Sequence, residues 1–580
     1  MRGGVWFALA AVAPCACGAS ASMATAAKGS EDGQMCSAGQ ETWAVAMLQR
    51  KQSLLSGMAL NQADAAGQSA SLISVWPPPQ SFAANGPRRP LHPDFALITP
   101  LRLQQGTVLA EGLARYFALI ATSSMNRAAS SDSLRGLNIS IADASDQLLN
   151  LKTDYSYRLT VRPQEPMGSL VAKSVYGALY GLETFTQLLD AEGALAAANV
   201  SVDDFPRYAW RGLMIDSGRR FFPLPLVKNL IDTMAAVKLN VLHLHASDHC
   251  RFGVESKLYP ELTASLVGQM GGFYTQADIK ELIAYAKQRG IRVVPEFDIP
   301  GHARGLGPLK PAGLKFCSRS TDETQLYNDP EGLTLRILNG LLAEMSALFE
   351  DDVFNIGSDE TETRGFCTGE STFPLARHMV DTVRRQYSKT PEGWEEILFT
   401  EQAATQDTIV NAWSSHDASA VTAKGRRVVE SAAAHFYFTE AAPAGATGWS
   451  PCHYDIGTGV PQSQQALLLG GQISMWSDTY CYECQCRAFS CPKPVAAALF
   501  PPEADEAFMR SIGGMIWPRG FVAAASFWNY DPLADPTSPE FVGRVHQLND
   551  RLAARGSVVC PTGCACDQLS ACGRPYQNEH

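Results

Sequence analysis

The order of apolar and polar residues divides most of the chain into two regions. Between residues 75 and 205, the segments 137–142 and 155–161 alternate between apolar and polar residues, as strands with one buried face do. Residues 176–189 instead carry apolar side chains at helical spacing. This mixture of short strands and helices predicts a small α+β domain over residues 75–205.

From residue 210 onward the pattern changes to a strand, a loop and a helix, repeated along the chain. Helices are predicted at residues 225–237 and 276–289. The candidate strands are residues 213–215, 241–245, 293–297 and 353–356, a weak strand before Trp394, and residues 409–412, 427–430 and 467–473. Eight such units predict an α/β fold, a (β/α)8 TIM barrel over residues 206–535, with functional groups at the carboxyl ends of its strands.

Acidic, basic and aromatic residues follow the predicted barrel strands. They are Asp216, Arg219, Asp248, Asp298, His302, Asp359, Glu360, Trp394, Glu395, Trp413, Tyr437, Trp476 and Asp478. Tryptophan faces cover the apolar side of a sugar ring, and arginine and carboxylates bind hydroxyl groups through charge-assisted hydrogen bonds. A single tryptophan in a barrel is more often core, and a single histidine more often binds a backbone group. Their joint appearance after successive strands predicts a carbohydrate site.

The segment V-F-N-I-G-S-D-E-T-E at 353–362 places two adjacent carboxylates, Asp359 and Glu360, directly after a strand. Two carboxylates this close do not both ionise readily, so one becomes a proton donor beside a permanent anion. That arrangement is typical of a glycosidase. A lone D-E pair is more often only an acidic loop, so the prediction depends on the residues around it.

The composition is typical of a globular protein with a full hydrophobic core, since 46% of the residues are hydrophobic. The net charge of -11 argues against nucleic acid or an anionic membrane as the main partner. Residues 1–27 have the pattern of a secretory signal peptide, with a disordered Ala-rich leader as the alternative. Residues 28–74 are predicted to form a loose lead-in before the α+β domain. No membrane span is predicted in any later segment.

Thirteen of the 15 cysteines follow this leader, so disulfide bonds are the default interpretation and an odd number leaves at least one thiol unpaired within the chain. Zinc is the alternative at Cys481 and Cys484, but no second CxxC pair and no histidine at ligand spacing accompany them. No metal is therefore predicted. Residues 536–580 predict a C-terminal helix and a Cys-rich tail. Sequons at Asn138 and Asn199 are glycosylation candidates that fit a secretory route to an extracellular or lysosome-like compartment.

Six motifs together resemble glycoside hydrolase family 20, which contains the exo-acting β-N-acetylhexosaminidases. They are W-R-G-L-M-I-D-S-G-R-R-F-F-P (210–223), K-L-N-V-L-H-L-H-A-S-D (238–248), P-E-F-D-I-P-G-H (295–302), N-I-G-S-D-E (355–360), G-W-E-E (393–396) and M-W-S-D (475–478). The α+β domain also resembles the family's N-terminal module, so the resemblance covers residues 75 to about 535.

The resemblance implies a retaining reaction without an enzyme nucleophile, in which the substrate's 2-acetamido carbonyl attacks the anomeric carbon and an oxazolinium forms. It implies that Glu360 is the general acid and then the base, and that Asp359 orients the acetamido group. Tyr437 would bind the acetamido oxygen. Asp216 and His302 would form a relay towards Glu360. An acidic optimum follows, because Glu360 must hold its proton while Asp359 is ionised.

The substrate-binding residues implied by the resemblance are Trp394, Trp413 and Trp476 around the acetamido pocket and the sugar face, with Arg219, Asp248 and Asp478 as polar ligands. Cys317 and Cys367 resemble the family's disulfide near the site. No cofactor is needed. The partner is a glycan or chito-oligosaccharide with a terminal N-acetylhexosamine. The sequence does not decide the oligomeric state, although family members are often dimers and a homodimer fits that tendency.

Three positions depart from the family pattern. Ser358 replaces a glycine before the D-E pair, Asp478 replaces a glutamate, and Thr439 replaces an acid. The last two changes fall on groups that hold the 4- and 6-hydroxyls, which leaves the choice between GlcNAc and GalNAc open. They also motivate an alternative function, a non-catalytic lectin-like relative. An endo-chitinase is disfavoured because no D-x-x-D-x-D-x-E pattern occurs.

Overall fold

The computed structural model describes residues 74–122, 130–264, 266, 272–317, 325–361, 373–439, 446–477, 509–510 and 512–559. The predicted signal peptide, nearly all of the lead-in, Cys367, Asp478, the Cys481 and Cys484 pair and the Cys-rich tail from residue 560 lie outside these residues. Residues 72–580 belong to one compact unit.

The small domain contains a six-stranded mixed sheet in the spatial order β1-β6-β4-β5-β3-β2. Its strands are β1 Ser81–Asn85, β2 Leu91–Ile98, β3 Leu134–Asp143, β4 Tyr157–Val161, β5 Met167–Ser174 and β6 Asn199–Asp204, and its helices are α1 Val108–Thr122 and α2 Val175–Gln187. Every residue of α2 is buried, because the helix lies between the sheet and the barrel. The sequon residue Asn138 is exposed on β3, and Asn199 is half-buried on β6, where its amide donates to Asn85.

The second region is a closed barrel of eight parallel strands, β7 to β14 in sequence order. The strands are β7 Trp210–Asp216, β8 Val241–Ser247, β9 Arg292–Phe297, β10 Val353–Asn355, β11 Thr390–Trp394, β12 Ile409–Ala412, β13 Arg427–Glu430 and β14 Leu468–Met475. Each coincides with a strand predicted from the sequence, so the TIM barrel is confirmed. Most of them are apolar runs because parallel strands are covered on both faces.

Helices surround this barrel. They are α3 Leu224–Ala236, α4 Glu261–Ala264, α5 Gln276–Lys287, α6 Leu333–Leu348, α7 Phe373–Gln386, α8 Glu396–Phe399, α9 Ala418–Ala423, α10 Ala433–Phe436, α11 Ala446–Trp449, α12 Arg519–Asn529 and α13 Pro539–Ala554, with 3-10 helices at Ala303–Ala312, Ser450–Cys452 and Gln462–Leu467. Across the described part of the chain, no helix has the length and apolar character needed to cross a membrane.

A buried ion pair joins the small domain to the barrel. Lys238, which follows α3, places its Nζ 2.7 Å from Oδ2 of Asp204 at the end of β6. Asp204 also accepts hydrogen bonds from Tyr157 and from the indole of Trp528 in α12. A buried charge is tolerated only when it is paired and hydrogen-bonded, and here both conditions hold. The contact fixes three parts of the chain against each other.

Candidate active site

The loop after β10 separates the two adjacent carboxylates. Gly357, Ser358 and Glu360 all have positive φ, between 46° and 72°, so the backbone turns sharply where a strand would continue. A Cβ on Gly357 would lie 1.9 Å from Oδ1 of Asp298, so this position requires glycine. As a result the Asp359 side chain is 10% exposed and that of Glu360 is 61% exposed. One acid faces the barrel interior and the other faces solvent.

Asp359 is paired with Asp298, which follows β9. The two carboxyl groups share a hydrogen bond, and the backbone N–H of Ser358 donates to Oδ1 of Asp298 at 2.9 Å. Burial, and then the charge of Asp359, raise the pKa of Asp298 well above its usual value. Burial also raises the pKa of Asp359 above its usual value, but the charge of His302 and the hydrogen bond from Asp298 offset part of that rise. Asp298 therefore holds the shared proton, and Asp359 is the anion of the pair.

Glu360 is bound to a histidine and not to its neighbour in sequence. Nε2 of His302 lies 3.1 Å from Oε2 of Glu360, and Nδ1 of the same ring lies 3.2 Å from Oδ1 of Asp248. The hydrogen bond from His302 lowers the pKa of Glu360. Burial alone lowers the pKa of His302, but the charges of Asp359 and Asp248 outweigh it and raise that pKa well above 6.5. In the free protein the proton therefore lies on His302 and not on Glu360, which differs from the expectation that Glu360 holds its own proton.

Asp216 does not take part in the histidine relay that the resemblance implied. It accepts from Nη1 of Arg219 at 3.0 Å and from the N–H and hydroxyl of Ser477. Asp248 is the aspartate that binds Nδ1 of His302, because it follows β8, the neighbour of β9, whereas Asp216 ends β7, which is one strand further away. Oδ2 of Asp359 lies 3.6 Å from Nε2 of the same ring. Asp216 is thus an anchor for Arg219.

Arg219 is held by two carboxylates rather than left open at the pocket. Its Nη1 contacts Asp216, and its Nη2 lies 3.0 Å from Oδ2 of Asp248. The guanidinium also lies 5.0 Å from the ring centroid of Trp476, in cation–π geometry. This fixed position brings a cation to the edge of the site.

The relay continues into the barrel through residues that sequence analysis did not select. Nε2 of His245 lies 2.8 Å from Asp248, and Nδ1 of His245 lies 2.6 Å from Glu296. Glu296 in turn accepts from the indole N–H of Trp394 at 2.7 Å. Polar residues within strands that are otherwise apolar, H-L-H in β8 and P-E-F in β9, were the signal that could have found them, since buried polar groups need partners.

Four aromatic residues from separate strand ends form one cluster. Trp394 and Trp476 have ring centroids 5.7 Å apart, and Trp413 stacks on Tyr437 at 5.5 Å with an interplanar angle of 11°. Burial, and then the charge of Asp359, raise the pKa of Tyr437 well above its usual value, so its phenol keeps its proton. This aromatic cluster, made of Trp394, Trp413, Tyr437 and Trp476, forms an apolar wall with a hydrogen-bond donor beside Asp359.

Among the described residues, three groups of acidic and histidine side chains have possible metal-ligand atoms within 4.8 Å of one another. One consists of Asp248, His249 and His302. Arg219 already binds Asp248, and a guanidinium next to that carboxylate disfavours a second cation. The donor set therefore fits a network of hydrogen bonds better than a metal centre.

Cys317 and Cys250 are both disulfide-bonded. Because Cys367 lies outside the described residues, the pairing of Cys317 with Cys367 stays a prediction. Cys452 is buried as a free thiol. The departures at Ser358 and Thr439 lie within the described residues, and the Ser358 side chain is fully buried beside the D-E pair.

Glu395 holds the loop that carries Trp413. Its carboxylate accepts from the backbone N–H groups of Trp413, Ser414 and Ser415 at 2.8 to 3.0 Å. Burial alone raises the pKa of this carboxyl, but these bonds outweigh it and lower the pKa below its usual value. The loop and its tryptophan are thus fixed by one anion.

We expect Glu395→Ala to lower kcat/KM by about 10- to 100-fold, because a displaced Trp413 misplaces the bound substrate. Asp417→Ala is the matched control, since Asp417 caps α9 through the N–H of Ala420 and does not contact the aromatic cluster. Loss of that cap costs about 1 kcal/mol of stability. Equal loss of activity in both variants would show that the effect of Glu395 is only one of stability.

A family model described as "Glycosyl hydrolase family 20, catalytic domain" matches residues 208–498, and one described as "beta-acetyl hexosaminidase like" matches residues 75–188. Beta-hexosaminidase 3 of Arabidopsis thaliana is 31% identical over 440 residues, which cover 70% of this chain and 80% of that protein. Beta-hexosaminidase subunit A2 of Dictyostelium discoideum is 30% identical over 434 residues, with coverages of 70% and 79%.

The fold also matches solved structures. The chitobiase of Flavobacterium johnsoniae superposes with a TM-score of 0.65 at 24% identity and covers 85% of this chain and 74% of its own. At this identity the match bears on the fold alone.

Proposed function

The chain belongs to glycosyl hydrolase family 20, and from this premise we propose that it is an exo-acting, retaining β-N-acetylhexosaminidase that uses substrate assistance. The resemblance read from its motifs is confirmed, and the chain is a glycoside hydrolase of the β-N-acetylhexosaminidase type. The observation that carries the mechanism is the division of the D-E pair into a buried anion, Asp359, and an exposed acid, Glu360.

Asp359 and the aromatic cluster serve the acetamido group of the substrate. The Asp359 anion accepts the acetamido N–H and stabilises the positive charge that develops on it as the acetamido oxygen attacks the anomeric carbon. The protonated phenol of Tyr437 donates to that oxygen. Trp394, Trp413 and Trp476 cover the acetamido methyl and the sugar face and exclude water. This attack forms an oxazolinium intermediate. Its hydrolysis by water then gives a product with the anomeric configuration of the substrate.

Glu360 and His302 share one proton for the leaving group. The hydrogen bond from His302 and then the charge of its ring lower the pKa of Glu360 in the free protein, although partial burial opposes them. A bound sugar removes water from Glu360, which favours the neutral acid, and the His302 proton is 3.1 Å away. Glu360 then protonates the glycosidic oxygen and later accepts a proton from the attacking water. Asp248 binds Nδ1 of His302 and so keeps Nε2 of that ring directed at Glu360.

The test is hydrolysis of chromogenic β-GlcNAc, β-GalNAc and β-glucose substrates, with and without a thiazoline mimic of the oxazolinium. Cleavage of the two acetamido sugars alone, inhibited by the thiazoline, is the expected result. Thiazoline binding without turnover would instead support the lectin-like alternative. The ratio of GlcNAc to GalNAc activity would report on Thr439 and Asp478. Secretion, glycosylation and dimer formation stay predictions from the sequence.

We expect a bell-shaped dependence of kcat/KM on pH. Activity falls at low pH as Asp359 is protonated, in a limb centred above the usual value of 3.8 because burial raises that pKa. It falls at high pH as the shared proton leaves His302 and Glu360, in a limb centred above 6.5 because neighbouring carboxylates raise the pKa of His302. In a His302→Asn variant the high-pH limb should no longer lie at the pH at which it lies in wild type, because the titrating imidazole is absent. A wild-type rate that is independent of pH between 3 and 9 would contradict the assignment.

A further inference from the structure

His249 lies against the ring of His302, the histidine that binds Glu360. The two ring centroids are 4.3 Å apart and the planes are tilted by 31°. The backbone N–H of His249 donates to Oδ1 of Asp248, the same oxygen that His302 contacts. Its next neighbour in sequence, Cys250, is disulfide-bonded. The ring of His249 is thus fixed over the face of the relay histidine.

The contact between His249 and His302 is a tilted contact between the two rings. Nδ1 of His249 is buried without a hydrogen-bond partner in the described part of the structure, and it lies 4.0 Å from Asp248. Burial, together with the nearby cations His302 and Arg219, lowers the pKa of His249 to about 4, and the charges of Asp248 and Glu360 only partly oppose this. His249 is therefore a neutral aromatic ring above pH 4, while His302 is protonated. A neutral ring against an imidazolium is a favourable cation–π arrangement.

We propose that His249 is a positioning residue for the general acid, whose ring face holds the His302 imidazolium in line between Asp248 and Glu360. The proposal rests on the proposed function, because it assigns His302 to proton delivery. His249 itself does not contact the reacting atoms through this role. Its effect should appear only where proton transfer to the leaving group limits the rate.

The experiment compares His249→Ala with His249→Phe on two β-GlcNAc substrates, one with a sugar leaving group and one with a dinitrophenyl leaving group. The sugar needs a proton from Glu360, whereas dinitrophenolate leaves without one. We expect His249→Ala to lower kcat/KM about tenfold for the sugar leaving group and less than twofold for the dinitrophenyl substrate. His249→Phe, which keeps the ring face, should restore the sugar-leaving-group rate to within about threefold of wild type.

Equal losses on both substrates, or a His249→Phe loss as large as that of His249→Ala, would overturn the proposal. Thermal unfolding and thiazoline affinity are measured for each variant to establish that the site is intact. Should His249→Ala fail to fold, His249→Leu fills the volume without an aromatic face and should show the same split between substrates. A wild-type protein that cleaves neither substrate contradicts the proposed function itself, whereas wild-type cleavage without a split contradicts only the role of His249.

Discussion

Glu360→Gln should lower kcat/KM for a sugar leaving group by about 10²- to 10⁴-fold, the usual contribution of general acid catalysis. The amide keeps the shape of the side chain but has no acidic proton to deliver to the glycosidic oxygen. It also accepts from His302, so the contact at 3.1 Å is retained and the fold should not change. Steady-state kinetics on a chitobiose-type substrate measures the loss.

The control for Glu360→Gln is a second substrate that differs only in its leaving group. With a dinitrophenyl leaving group the loss in kcat/KM should shrink to less than about tenfold, because the departing phenolate needs little protonation. Thiazoline affinity should stay near that of wild type, since the acetamido pocket is untouched. A loss of equal size for both leaving groups would remove Glu360 from the role of general acid.

Asp359→Asn is expected to lower kcat/KM by about 10²- to 10³-fold for every leaving group, the range seen when one preorganised electrostatic contact to the transition state is removed. In the proposed mechanism the buried anion at this position stabilises the charge that develops on the acetamido nitrogen, which a neutral amide would not do. Since the thiazoline becomes cationic in the pocket, its affinity should fall together with the rate.

Asp298→Asn is the matched control for Asp359→Asn. Asp298 holds the proton of the pair, so an amide N–H replaces its hydrogen bond to Asp359 and the anion is kept. We expect a loss below about tenfold in this variant. Asp298→Ala leaves Asp359 buried without its donor, so the acid limb of the pH profile should move to higher pH. If Asp298→Asn is as damaging as Asp359→Asn, the proton lies on Asp359 and the assignment is wrong.

Asp359 and Glu360 differ in exposure and in pKa because of the backbone conformation around them, which cannot be read from the sequence. Asp359 and Glu360 are adjacent, and an extended strand would place them on opposite faces by its period of two. Instead the left-handed conformations at Ser358 and Glu360 end the strand, and the histidine beneath the exposed acid sets its pKa. Strand periodicity therefore located the pair, but the free-state protonation depended on partners from β8 and β9.

The sequence by itself determined the barrel, the small α+β domain and the strand ends at which the candidate site lies. Each depends on local patterns, because burial on both faces makes a parallel strand apolar and a chemical group at its carboxyl end faces the common rim. Trp394, Trp413, Tyr437 and Trp476 come together for this reason.

Only the tertiary structure decided which acid meets which base. Asp216 and Asp248 follow neighbouring strands and look alike in the sequence, but β8 lies beside β9 in the barrel, so Asp248 contacts His302 and Asp216 contacts Arg219 and Ser477. Hydrogen bonds act over about 3 Å, and here they join residues that are far apart in the chain. Strand order and loop conformation decide which residues become hydrogen-bond partners, and no local sequence pattern encodes either of them.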